Sequence, residues 1–425
     1  MAVRHIGLVC PEISGHLNPM TTLGRELLRR GYRVSVIGIL DAQSKAEAAG
    51  LEFIAIGEND APLGSRAQFT AELGKLHGRA ALTFTIERFR DSGRIQLRDI
   101  PDAIRAAGID GLLIDQVSAV VGAVADHLDL PYVSICNALA VNYDRDAPPL
   151  VTPWPFQPTP LGRLRNRLGY AVLDHTVKPI NTLVNQQRAA WGLPLVPPGE
   201  PTFSSLAQIA QQPAVFDFPR NRLPACFHYS GPFHDDRSGD AIDFPYDRLT
   251  GAPLIYASMG TLQNRQDYVF NAIAAACEGL PAQLVVSLGN PRQTTLPTLP
   301  GNPLVVPYAP QLELVKRSAL VITHAGLNTV LETLSQGVPM VAIPVTNDQP
   351  GVAARLAWLG AGKIVPLNGL RADRLRKAVR EVLAEPRYRA RAVDVQWQIL
   401  ALDGVRRAAD ITEQALSTRR PVLRV

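Results

Sequence analysis

The stretch 320–349, LVITHAGLNTVLETLSQGVPMVAIPVTNDQ, restricts what this chain can fold into more than any other. Its first four residues are apolar or β-branched and suit a buried parallel strand. His324, Ala325 and Gly326 make a turn, after which Val330, Leu331 and Leu334 recur at helical spacing. Gly337 and Pro339 stop that helix, and an apolar run at 340–345 returns to a sheet. Strand, turn, helix, strand is the unit of an open α/β sheet, whose ligands bind beyond the carboxyl ends of the strands. The polar residues gather there: His324, Asn328 and Thr329 after the first strand, Asp348 and Gln349 after the second.

The chemistry of those ends follows from residue type. A helix starting near Asn328 turns its first backbone N–H groups out of the turn, with the positive end of the dipole behind them. Gly326 lets a phosphate come close to that backbone. His324, Asn328 and Thr329 add side-chain donors. Glu332, one turn further on, is badly placed for a phosphate and well placed for a ribose diol. Asp348 and Gln349 supply a carboxylate and an amide for hydroxyl-rich ligands. Taken singly, His324 also reads as a satisfied strand-end histidine, Asn328-Thr329 as a helix cap and Asp348 as a turn residue. Phosphate, diol and polyol groups in that order within one unit argue for a ligand site over those single-residue readings.

The stretch, together with Tyr308, Ala309, Pro310 and Gln311 upstream, resembles the nucleotide-sugar signature of the family 1 (UDP-dependent) glycosyltransferases. Where plant members carry Trp and Ser, this sequence has Tyr308 and Thr329, which keep an aromatic ring and a hydroxyl. The resemblance implies the GT-B fold, an α/β architecture of two Rossmann-like domains facing across a cleft. It implies roles as well: Tyr308 stacking on uracil, Ala309 and Gln311 contacting base or ribose, and the Ser258-Met259-Gly260-Thr261 turn facing the pyrophosphate.

Length and composition agree. A chain of 425 residues is too long for one core and suggests two domains. The net charge of +5 is too small to argue for nucleic acid without a localised patch. Cys10, Cys136, Cys226 and Cys277 lie far apart, against zinc and a disulfide framework and for a cytoplasmic setting. The opening apolar run is too short for a signal peptide, and no apolar stretch approaches a membrane span.

In the first half, 5–9 reads as a strand and 32–39 as the next. The helix between them is expected to be capped by Asn18 with Pro19 at its first position, and to turn Leu23, Leu27 and Leu28 inward. The Gly-x-Gly-x-x-Gly of a dinucleotide fold is missing, which weakens a reductase reading. His16 stands on the loop leaving the first strand, and Asp115 ends the buried run 111–115. Parallel strands emerge on one edge, so the two side chains can meet there, as can those of other strand ends. The family resemblance makes His16 the catalytic base and Asp115 its orienting partner. An imidazole titrates near neutrality (~6.5) and can accept a hydroxyl proton.

Residues 62–100 and 145–203 carry many aromatic and leucine side chains. In this fold such segments line the acceptor pocket, so an apolar acceptor is expected, although core packing explains any single aromatic equally well. Arg163, Arg165 and Arg167 of a basic amphipathic helix offer a peripheral membrane contact or, more simply, a solvated face. The block 208–232, with Asp217-Phe218-Pro219 and the 223–228 run LPACFH, looks most like the carotenoid (zeaxanthin) glucosyltransferases. Domains are expected at 1–233 (acceptor) and 249–403 (nucleotide sugar), with a linker at 234–248. The helix in 404–425 would cross back to the first domain.

The resemblance thus implies inverting transfer of glucose from UDP-glucose to a hydroxyl of a lipophilic acceptor such as zeaxanthin. No cofactor or metal is required in that reading, and a monomer is expected. Glu332 favours a ribose, hence UDP over dTDP. Transfer to a polyketide, phenolic or sterol acceptor shares all the donor residues, and a non-catalytic nucleotide-sugar-binding protein is the other class left open.

Overall fold

The computed structural model describes residues 3–76, 78–197, 202–234, 242–260, 267–291 and 293–424. Among them, two parallel sheets organise the chain. The first contains β1 (His5–Val9), β2 (Arg33–Gly38), β3 (Glu52–Ala55), β4 (Gly111–Asp115), β5 (Tyr132–Cys136), β6 (Gln208–Ala210) and β7 (Phe227–Tyr229), in the order β3-β2-β1-β4-β5-β6-β7. The second contains β8 (Leu254–Ser258), β9 (Gln283–Ser287), β10 (Leu304–Val306), β11 (Ser318–Thr323), β12 (Met340–Ala342) and β13 (Gly362–Ile364), in the order β10-β9-β8-β11-β12-β13.

The central strands β1, β4 and β8 are buried at every position. Helices cover both faces of such a sheet, so its strands read as continuous apolar runs, not as alternation. In each sheet the chain winds outward from the first strand, then returns to that strand's other side. The first sheet reverses between β1 and β4, the second between β8 and β11. Helices leave the two central strands in opposite directions at such a point and open a crevice between them.

The first helix, Ser14–Arg29, corrects the expected cap. It begins four residues before Asn18, with the N–H groups of His16 and Leu17 both donating to the Ile13 carbonyl. His16 is therefore held in a first helical turn, not on a free loop. Pro19 lies inside the helix, where it has no N–H for the carbonyl one turn back, that of Gly15. The inward face is Leu17, Met20, Leu23 and Leu27. Leu28 is 41% exposed, because one residue past Leu27 is a 100° turn away from the core.

The two halves are joined by more than one contact. The helix Gly404–Thr418 packs on Ser14–Arg29, and Ala408, Ile411, Ala415 and Leu416 share a core with Leu8, Leu23 and Leu27. The Arg30 guanidinium bonds Asp410 at 2.7 Å and also reaches Glu413. Leu139 and Phe216 enter the core of the second half. Arg355 donates to Asp217 at 2.8 Å, both side chains being about 1% exposed. Within the expected linker, 235–241 lie outside the described residues, and Phe244 is already buried in the second core.

The helix Pro160–Ala190 starts with Thr159 accepting from the Gly162 N–H and Pro160 in its first turn. Its arginines are partly spent within the molecule: Arg163 bonds Asp146 at 2.5 Å, and Arg165 lies over the Trp154 ring. What this helix turns outward near its start is an apolar stripe of Leu161, Leu164, Leu168 and Val172.

Candidate active site

A cleft of 1660 Å³ runs between the halves along the carboxyl edges of both sheets. That exceeds the few hundred to ~1,000 Å³ of an ordinary small-molecule site and gives room for two substrates. The reversal points of the two sheets face it. β1 and β4 deliver His16 and Asp115, while β8 and β11 deliver Ser258 and His324.

His16 Nδ1 bonds Asp115 Oδ2 at 2.7 Å. Asp115 is fully buried, and its other oxygen accepts from the Val117 N–H at 2.9 Å. A carboxylate on Nδ1 keeps the proton there and leaves Nε2 as the acceptor. Burial pulls the imidazole pKa down, but the Asp115 charge and hydrogen bond, with Asp348 and Glu12, outweigh it, so His16 is raised above its ordinary 6.5. The ring lines the cleft. This pair can take a proton from a hydroxyl held above the ring.

On the opposite wall, Ser258 ends β8 and Gly260 follows at φ +73°. A Cβ on Gly260 would stand 2.6 Å from the His324 ring, as would one on Gly326. The two glycines together form a slot for that imidazole. Thr261, expected to face the pyrophosphate, lies outside the described residues. Burial pushes His324 down to about 4, with the Ser258 backbone partly offsetting it. It is thus neutral at pH 7 and carries a single N–H, for which the Ser258 carbonyl and a bound phosphate compete. Ala325 beside it is buried at φ +66°, and Asn347 after β12 stands at φ +56°. Such strain concentrates where backbone is held for a ligand.

The helix Leu327–Ser335 starts directly after Gly326, and its first residues line the cleft. The Asn328 side chain departs from the expected phosphate contact. Its Oδ1 accepts from Gln211 at 2.8 Å and its Nδ2 donates to the Gly15 carbonyl at 3.0 Å, so it bridges the halves. The backbone N–H groups of that first turn are of the kind that bind anions at a helix start.

Tyr308 and Ala309 line the cleft before the helix Gln311–Arg317. Gln311 Nε2 donates to Glu332 at 2.5 Å and to Thr329 at 3.2 Å. Burial raises the Glu332 carboxyl to about 7 against the pull of Gln311. Asp348 accepts from the Leu139 N–H across the cleft at 3.4 Å, and burial raises it too. The Gln349 carbonyl oxygen is taken by the N–H groups of Val345 and Thr346, which leaves its NH₂ for a ligand. Among the described residues no three His, Cys, Asp or Glu side chains are grouped to hold a metal ion, and all four cysteines are buried free thiols.

Next to His16 the cleft extends into an apolar lobe. Phe69, Leu82, Ile86 and Phe89 line one side, and Tyr170, Leu173 and Val177 of the helix Pro160–Ala190 the other. Sequence reasoning missed Asn137 and Gln211, each one residue past a strand end, and the buried pair of Asp217 with Arg355. The signal for the first two was the same edge rule that found Asp115.

A family model described as UDP-glucoronosyl and UDP-glucosyl transferase matches residues 196–396. The zeaxanthin glucosyltransferase of Pantoea ananas is 30% identical, over 99% of this chain and 98% of its own. This chain belongs to the UDP-glycosyltransferase family. Its relatives include a second zeaxanthin glucosyltransferase, from Pseudescherichia vulneris, 28% identical over 98% of each chain. Among solved structures, the glycotransferase of kitacinnamycin aligns with TM-score 0.76 over 98% of this chain and 99% of its own. The calicheamicin glycosyltransferase does so with 0.73 over 99% and 100%. Both are 22% identical and establish the fold, which is GT-B. In this UDP-glycosyltransferase the family match spans the wall that carries Ser258 and His324 and leaves His16 and Asp115 outside it. Among its described residues, no helix is long and apolar enough to cross a membrane.

Proposed function

We propose that this glycosyltransferase moves glucose from UDP-glucose, with inversion, to a hydroxyl of an apolar acceptor, a carotenoid diol such as zeaxanthin. The observation that carries this is the His16–Asp115 pair standing between an apolar lobe and the donor-side helix N-terminus. The acceptor lies along Phe69, Phe89 and Tyr170 with its hydroxyl over His16 Nε2. The imidazole takes the proton as the oxygen attacks the anomeric carbon from the face opposite UDP. Asp115 then faces an imidazolium. Charge developing on the diphosphate meets the first N–H groups of Leu327–Ser335 and the neutral His324. Glu332 accepts from the ribose diol, and the Asp348 carboxylate with the Gln349 NH₂ holds sugar hydroxyls. General-base help of this kind contributes ~10²–10⁴ in rate, and the rest comes from positioning and charge stabilisation.

A phenolic or polyketide acceptor is the second reading. It needs no change on the donor side, since Glu332, Asp348, Gln349 and His324 would serve such an acceptor equally well. The two separate in a competition assay with zeaxanthin in detergent and a planar phenol at equal concentration. Preferential glucosylation of the carotenoid, with a β-anomeric product by NMR, agrees with the proposal. Turnover of the phenol alone discards the carotenoid, and an α-linked product discards inversion.

A further inference from the structure

Four neighbouring strands of the first sheet each place one polar residue at the cleft edge, in sheet order. His16 follows β1, Asp115 ends β4, Asn137 follows β5 and Gln211 follows β6. These residues are hydrogen-bonded in the same order. His16 Nδ1 and Asn137 Nδ2 both bond Asp115 Oδ2, at 2.7 and 2.6 Å. Gln211 Nε2 donates to the main-chain carbonyl of Asn137 at 2.5 Å and, across the cleft, to Asn328 Oδ1 at 2.8 Å. Asn137 is 2% and Gln211 0% exposed.

We propose that Asn137 and Gln211 are positioning residues, an amide relay that couples the His16–Asp115 pair to the seating of the donor-side helix. The proposal rests on the reading of His16 as the base. Two donors on one carboxylate oxygen fix the carboxyl plane and so the direction of the imidazole. They also divide the negative charge, because a neutral N–H on Oδ2 lessens what the imidazolium receives. Gln211 is the one member of the chain whose NH₂ spans the halves. Each of its two hydrogens has its own acceptor, so withdrawing Asn328 strands one of them in a buried place. The low-energy arrangement of the dyad is thereby tied to the closed cleft.

The groups facing His16 that set its titration are Asp115 from β4, Asp348 from the second half and Glu12 just before its own helix. The buried thiols of Cys10 and Cys136, both next to Asp115, are pushed further from ionisation. They remain neutral across the useful pH range and do not compete.

The test uses the full chain and two readouts. The first is the His16 imidazole pKa, followed by NMR with ¹⁵N-histidine and assigned with His16→Ala. The second is the pH profile of kcat for UDP release. In Asn137→Ala the undivided Asp115 charge raises the imidazole pKa and the acid limb by about half to one unit. Its kcat falls about tenfold while KM for the nucleotide sugar stays within twofold. Gln211→Met, which fills the same space without an amide, lowers kcat five- to twentyfold. Asn137→Gln, which retains a donor, recovers part of the Asn137→Ala loss.

An unchanged imidazole pKa in Asn137→Ala, with cooperative unfolding retained, overturns the relay. So does a loss seen only as a lower Tm. If the wild type releases no UDP with any acceptor while the imidazole pKa still moves in Asn137→Ala, the transferase reading fails and the relay stands.

Discussion

The side-chain amide of Asn328 donates to the carbonyl oxygen of Gly15, 3.0 Å away and one residue before His16. That carbonyl is open because Pro19, four residues on, has no N–H to give it. A helix defect in the first half is thus satisfied by the second half, next to the residue assigned as base.

Asn328→Ala removes that bridge and the Gln211 contact together. The helix N-terminus survives, so UDP affinity by calorimetry falls no more than about fivefold, one ordinary hydrogen bond. The kcat/KM for UDP-glucose falls further, about 10–100-fold, because closure over His16 is lost. Equal losses in both would place Asn328 on the nucleotide alone.

Glu332 ties binding to stability with opposite signs. Its folded pKa of about 7 is above the ordinary 4.5, so the folded protein keeps a proton that the unfolded chain gives up between those values. Its stabilising share is complete below about 4.5 and declines as pH rises through about 7. Glu332→Gln is therefore expected to be more stable than wild type by roughly 1–3 kcal/mol at pH 8, in urea unfolding, with the gap closing toward pH 5. The same variant binds UDP more weakly at pH 8, since an amide accepts from only one side of the ribose diol. In the wild type, UDP affinity falls as pH drops through about 7.

How far the sequence led is clearest at these positions. The strands and the polar residues at their carboxyl ends follow from apolar runs and turn residues, so His324 and Asp348 could be named from the sequence, and the family resemblance singled out His16 and Asp115 among the other strand ends. The start of the first helix could not be read that way. Asn18-Pro19 is a good local cap, but burial of Leu17 and Met20 extends the helix back past it and carries His16 into the first turn. Asn137, Gln211 and the Gly15 carbonyl acquire their roles only when residues from 22 to 313 positions apart meet. Apolar periodicity carries no trace of such a meeting.

The buried charges between the halves make a third expectation. Asp217 accepts from Arg355 and Arg220, each at 2.8 Å, and from the Tyr229 hydroxyl at 2.8 Å. Burial alone would raise its carboxyl, and the two guanidiniums outweigh that and hold it low. Asp217→Leu strands two buried arginines and costs about 3–5 kcal/mol in urea unfolding. Arg355→Met leaves Asp217 paired with Arg220 and costs clearly less. The reverse order would mean that the Arg355 pair alone holds the halves together.

The assignment of His16 as base is tested most directly by UDP release from UDP-glucose with zeaxanthin as acceptor, in wild type and His16→Ala, over pH 5 to 9. Wild-type turnover is expected to fall on the acid side with a midpoint above 6.5, as the imidazole held by Asp115 becomes protonated. His16→Ala is expected to lose ~10²–10⁴ of the rate and this acid limb together, with UDP affinity kept. Equal rates in mutant and wild type, or an acid limb that survives the substitution, would contradict the account.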